Sequence, residues 1–188
     1  MPEAEKRSYQ FTLNTAMKSN NQKAIKELEE VGCPVNGIYK SGLSSTDIQR
    51  KWLMKFGGVV YGKSNPGDLI MKIMLTKEYS LLDRINFMKA MNMPSINKMV
   101  EDEFLRINLF DQILEVKVPI YFFLGRHDNQ IPAVVSGKYF NTITAPKKEL
   151  IWFDQSAHSP CFEEAEKFNT LMVEKVLAET IPIPSSKV

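Results

Sequence analysis

The sequence predicts an α/β fold, with an almost wholly helical first part (1–107) and strand–helix–strand units after it (108–188) that build a parallel sheet. Three observations carry that expectation. Apolar residues recur at helical spacing through 1–107, whereas two short continuous apolar runs, Val118–Leu124 and Leu150–Phe153, appear only afterwards. Between them Pro132–Ile143 reads as one helix, opened by proline at a first-turn position where its missing N–H costs nothing. Strand, helix, strand in that order is a parallel crossover, and near-continuous apolar strands imply a sheet covered on both faces.

The elements follow in order. Pro2–Lys18 reads as a helix with Tyr9, Leu13 and Met17 on one face. Asn20–Val31 is a second, striped by Ile25 and Leu28 and stopped by Gly32. Cys33–Leu43, with Pro34, Asn36, Gly37 and Gly42, is a loop. Ser45 is the expected N-cap of a third helix carrying Ile48, Trp52, Leu53 and Phe56, and Gly57–Gly58 ends it. Gly62–Gly67 reads as a turn, Leu69–Leu75 as a short apolar segment, and Glu78–Met91 and Pro94–Ile107 as two more helices. Asn108–Glu115 is a short helix feeding the strand at Val118. Glu163–Glu179 is the last helix, with Phe168, Met172 and Val176 facing the sheet and Glu163, Glu164 and Glu166 in a first turn where the helix dipole favours negative charge. The final residues, IPIPSSKV, read as a frayed tail.

Composition narrows the function. A chain of 188 residues with 44% hydrophobic and 24% charged residues can bury a real core. A net charge of +2 offers no electrostatic case for nucleic acid or a membrane surface. No apolar run reaches the length of a bilayer, and the charged start MPEAEKRSYQ is not a secretory signal. Two cysteines, Cys33 and Cys161, make no disulfide framework, so a cytoplasmic location is expected. No paired C-x-x-C or H-x-x-x-H pattern is present, so neither a metal nor another cofactor is expected.

Ligands in parallel sheets sit beyond the carboxyl ends of the strands. Asp128 follows the first apolar run there, and His158 follows the second, thirty residues on. One helix and one strand fit in that interval and return the chain to the same sheet edge. His158 can exchange protons near neutral pH, and Asp128 can fix its tautomer. Taken alone, each has a plainer role: His158 as a surface residue in a small-residue turn, Asp128 as a turn or cap residue ahead of Pro132. Asp154 is a rival carboxylate, four residues before His158 and near the end of the strand that leads to it, and His127 reads as a solvated loop residue. Cys161, three residues after His158, reads as a small core thiol rather than an activated nucleophile. Seven of the ten methionines fall between Met54 and Met99, which suits either a pocket lining or helix packing. Glu101, Asp102 and Glu103 form an acidic run, which on its own reads as a solvated face.

The segments GRHDNQIP and ELIWFDQSAHSP resemble the acid and histidine segments of the α/β-hydrolases, most of all the proline iminopeptidase-like branch. The resemblance covers Asn108–Glu179, and Met1–Ile107 resembles the helical cap that precedes this part. It implies hydrolysis of an ester or amide bond through an acyl-serine, with His158 as general base, Asp128 as its orienter, and a small-molecule or peptide substrate. It also implies that Glu101 and Glu103 hold a substrate's free amino group. The family order is Ser, then Asp, then His. Its first strands, Gly-rich oxyanion loop and G-x-S-x-G turn have no counterpart here and are expected upstream of Met1. The nearest match, Gly62-Lys63-Ser64-Asn65-Pro66-Gly67, is one residue too long, carries proline where close helix packing needs glycine, and reads as a β-turn. The expected fold is therefore incomplete, consisting of a cap and the last βα units. The edge of Val118–Leu124 is left to pair with an N-terminal hydrolase portion or with a second copy. The alternative is a non-catalytic binding or interaction module derived from a hydrolase.

Overall fold

The computed structural model describes residues 2–65, 67, 71, 74–90 and 107–180. Helices α1 (Pro2–Lys18), α2 (Gln22–Val31) and α3 (Leu43–Lys55) pack on one another. Their shared core is Tyr9, Ala16, Ala24, Leu28, Val31, Tyr39 and Trp52. Ala16 and Ala24 are fully buried, and their small side chains let α1 and α2 approach closely. Asn21 caps α2 by accepting from the Ala24 N–H at 3.1 Å, and Gly32 ends it at φ 72°, a left-handed value that glycine adopts without strain.

The third helix begins earlier than its sequence suggests. Gly42 occupies the N-cap, and Ser45 is buried inside the helix rather than capping it. Ser45 turns inward beside a polar seam between α1 and α3. There the buried Gln49 amide donates to Ser8 Oγ and Thr12 Oγ1, both at 3.0 Å. Arg50 then bridges Gln49 Oε1 to the Glu5 carboxylate.

Helix α4 (Leu81–Ala90) starts where Ser80 and Asp83 cap each other: Asp83 Oδ2 accepts from the Ser80 N–H at 2.9 Å, and Ser80 Oγ from the Asp83 N–H at 3.2 Å. That reciprocal cap places the start three residues after Glu78. The segments read from sequence as Leu69–Leu75 and Pro94–Ile107, and the tail IPIPSSKV, lie wholly or partly outside the described residues.

A short helix α5 (Leu109–Gln112) precedes strand β1 (Ile120–Gly125). Helix α6 (Ala133–Thr142) then leads to strand β2 (Lys148–Phe153). The strands pair in parallel, from Ile120 opposite Lys148 to Gly125 opposite Phe153. The fold is thus α/β with a small parallel sheet, joined by the crossover the sequence predicted. Two details differ. Strand β1 starts at Ile120 because Pro119 has no N–H for the ladder, and Pro132 sits at the N-cap of α6 rather than in its first turn.

Side chains alternate across β1. Phe122 packs on Tyr139 and Phe140 of α6, while Phe123 packs on Phe153 and, edge to face at 5.3 Å, on Phe168. Phe153 is fully buried. The ladder alternates too. The Ile120 N–H donates to Lys147 O and the Arg126 N–H to Phe153 O, so even-numbered residues face β2, and Tyr121 and Phe123 point their amides the other way. Among the described residues β1 has no other strand partner.

The last helix is not continuous. α7 (Pro160–Glu163) and α8 (Ala165–Leu171) are separated by Glu164, held at φ −123°, ψ 55°. A π-helical turn, Met172–Leu177, continues α8 toward Thr180. The break has a cause, because the Glu164 carboxylate is turned back to accept from the Gln155 N–H and the Ser156 hydroxyl. No described helix is long and apolar enough to cross a membrane.

Candidate active site

The loops after β1 and β2 meet at the carboxyl edge of the sheet. Gly125 allows it. A Cβ there would lie 2.0 Å from Ala157 O and 2.6 Å from Ser156 O, so only a residue without one lets the second loop cross the end of β1. The His127 N–H donates to Ser156 O at 3.0 Å and joins the two loops.

The crossing brings Asp128 and His158 together. His158 Nδ1 lies 2.9 Å from Asp128 Oδ2. The other carboxylate oxygen, Oδ1, accepts from the Gln130 N–H at 2.8 Å and the Ile131 N–H at 2.9 Å, which locks the carboxylate plane and leaves Oδ2 for the ring. Asp128 is largely buried, its side chain 13% exposed, whereas the His158 ring is 34% exposed and open to reactants. A carboxylate cannot donate, so this contact calls for the proton on Nδ1, and in the neutral ring Nε2 is then the nitrogen free to act as a base. Gln130 Nε2 stands 3.0 Å from that nitrogen.

The rival carboxylate is engaged elsewhere. Asp154 pairs with Arg126, whose hydrogen bond holds its carboxyl below the usual range. His127 is more than a solvated loop residue. Its ring stacks on Tyr61, centroids 4.3 Å apart, and its Nε2 lies 3.1 Å from Asp154 O. Ser64 is exposed and borders, with His127 and Tyr61, a shallow depression on the helical side. Cys161 is a free, half-buried thiol. Among the described residues no cluster of histidine, cysteine and carboxylate side chains could hold a metal ion. Glu101 and Glu103, expected to meet a substrate amine, lie outside the described residues.

Sequence reasoning missed what fixes the histidine loop. By sequence Glu163 is a helix-dipole residue. Its carboxylate accepts from the Ala157 N–H at 3.1 Å and the Ser159 N–H at 2.9 Å, the amides on either side of His158, and from the Tyr61 N–H at 2.6 Å. The turn after α3 adds two more ties, with Gly58 O accepting from the Asn129 N–H and Val59 O from the His158 N–H, both at 3.0 Å. The helical part therefore grips both loops through main chain, which no side-chain pattern announces. Two glutamates directly after a histidine turn were the one available signal. Glu163→Ala removes an acceptor from three amides. The expected result is a loss of about 2 kcal/mol, discounted for partial exposure, and hydrogen exchange at Ala157 and Ser159 faster by about tenfold. Unchanged exchange at both would mean that the carboxylate does not hold the loop.

No protein-family model matches the chain. It is similar to the probable aminopeptidase YbaC of Bacillus subtilis, 31% identical over 116 residues, which is 61% of this chain and 36% of the relative. It is also similar to the AB hydrolase superfamily protein YclE of Bacillus subtilis, 34% identical over 83 residues, 42% of this chain and 27% of the relative. A third relative is the pimeloyl-(acyl-carrier protein) methyl ester esterase of Vibrio cholerae, 37% identical over 68 residues, 36% of this chain and 26% of that protein. The chain thus spans little more than a third of the longest-matched relative's length and about a quarter of the other two. The resemblance throughout is to α/β-hydrolases.

Proposed function

We propose that the chain is the cap and C-terminal part of an α/β-hydrolase-type serine hydrolase that cleaves ester or amide bonds, with a prolyl aminopeptidase the nearest subtype. The observation that carries the reading is the 2.9 Å contact between Asp128 Oδ2 and His158 Nδ1, with Oδ1 already tied to two main-chain amides. In this reading His158 takes the proton of a serine hydroxyl as the serine attacks the carbonyl carbon. It then returns the proton to the leaving alcohol or amine, and Asp128 stabilises the imidazolium in between. Glu101 and Glu103 would hold the free amino group of a peptide substrate.

The serine and the oxyanion donors come from a segment outside these 188 residues. Two observations support this: the sequence contains no G-x-S-x-G, and Nε2 meets an amide rather than a hydroxyl. That segment, or a second copy of the chain, docks on the open edge of β1. Beside that edge lies an apolar cleft of about 430 Å³ bordered by Phe110, Phe122, Leu124 and Tyr139. The two free cysteines suit a cytoplasmic setting.

The test is fluorophosphonate labelling together with turnover of proline arylamides and simple esters. The chain alone should show neither. Mixed with an α/β-hydrolase N-terminal segment that carries a G-x-S-x-G turn, it should gain both. Stoichiometric labelling of a serine in this chain, Ser64 included, would overturn the proposal. The non-catalytic alternative draws on the occupied Nε2, and it gains if no complementing segment restores turnover.

A further inference from the structure

We infer that Gln130 is a positioning residue that clasps both members of the acid–base pair, and that its side-chain amide must leave His158 before the ring can serve a nucleophile. The inference rests on the reading of His158 as a base. The main-chain N–H of Gln130 donates to Asp128 Oδ1 at 2.8 Å, and its side-chain Nε2 lies 3.0 Å from His158 Nε2. With Nδ1–H committed to Asp128, Nε2 offers a single in-plane lone pair. One donor can use it at a time. The Gln130 amide occupies the position a serine hydroxyl needs, so the two compete for the same nitrogen.

The amide also suits the ring in its other state. When His158 takes a second proton, Nε2–H requires an acceptor, and a half-turn of the amide presents Oε1 to it. Gln130 can therefore hold the ring in the same orientation whether it is neutral or charged. In the absence of a nucleophile this keeps the base aligned and shields it from reagents. His127, whose ring stacks on Tyr61, has no such side-chain amide at its ring nitrogens among the described residues and serves as an internal reference.

The experiment uses the full chain and diethyl pyrocarbonate. A free imidazole nitrogen attacks the anhydride carbon and becomes N-carbethoxylated. Ethyl carbonate leaves with the ring proton and decays to carbon dioxide and ethanol. Peptide mass spectrometry then gives separate rates for His158 and His127. Gln130→Ala and Gln130→Leu should each speed modification of His158 by about fivefold, the scale of one lost hydrogen bond, and leave His127 unchanged. Equal His158 rates in the wild-type chain and both variants would overturn the inference.

If a variant loosens the fold, both histidines will accelerate together. The wild-type chain then decides by itself. Its Gln130 side-chain amide resonances should shift as His158 titrates and stay still in His158→Ala. Resonances that ignore His158 would also overturn the inference. Failure of the parent reading looks different, because a complemented chain would show no turnover while these labelling rates still changed.

Discussion

On the proposed reading, Asp128→Asn is expected to lower turnover by the chain complemented with a G-x-S-x-G segment by about 10⁴-fold, the scale of this change in serine–histidine–aspartate enzymes, with the fold intact. The reason is local. Asp128 Oδ1 accepts from two main-chain N–H groups, of Gln130 and Ile131, and only an oxygen can fill that position. An asparagine must therefore place its oxygen there and turn its NH2 toward His158. Facing a donor, Nδ1 becomes the acceptor and the ring proton moves to Nε2. The nitrogen that should take the serine's proton then already carries one. Imidazole ¹⁵N spectra of the chain alone should show this exchange of tautomers without any substrate. A ring that keeps its Nδ1 proton in Asp128→Asn would refute the account of the pair, whatever the turnover.

Gly125→Ala should be the most damaging single methyl in the described structure. Its Cβ would sit 2.0 Å from Ala157 O and 2.6 Å from Ser156 O. Both are main-chain atoms and cannot rotate aside. Relief requires moving the loop that carries His158 or bending the end of β1, and overpacking of this kind costs about 3 kcal/mol. Urea denaturation should read the loss, and NMR should show the Asp128–His158 contact broken. Gly137, in α6, is the control. Nothing lies within 4 Å of the Cβ it would gain, so Gly137→Ala should stabilise the helix by about 0.5–1 kcal/mol. Equal midpoints for the two variants would mean that the crossing at Gly125 is looser than described.

The legible parts of this molecule were those set by short-range rules. α1 and α2 follow from spacing and from Gly32, and the crossover from two apolar runs flanking a helical pattern. Asp128 and His158 could be placed on one edge because a strand and a helix occupy a known length. What escaped depends on where side chains turn after the chain has folded. Ser45 looked like a cap, yet Gly42 takes the cap and Ser45 faces inward near the Gln49 seam. Glu164 looked helical, yet its carboxylate satisfies Gln155 and Ser156 and breaks the helix. Glu163 and Gln130 hold the histidine through contacts set by three loops at once, and no pattern along one segment encodes such a meeting.

The ties between the helical part and the sheet bear on the order of folding. Each half of the chain can form its own contacts with little loop to close. α1 to α3 lie within the first 55 residues, and β1, α6 and β2 within the 34 residues Ile120–Phe153. The bonds that seat the acid–base loops are of another kind: Tyr61 to Glu163 spans 102 residues, and the pairs Asn129–Gly58 and His158–Val59 bridge similarly distant segments. Closing such loops costs entropy before it yields any contact. The histidine should consequently reach its final position last during refolding, after both halves have collapsed. Pulse-labelling would show it as late protection of the His158 amide, behind those of Leu28 and Leu124.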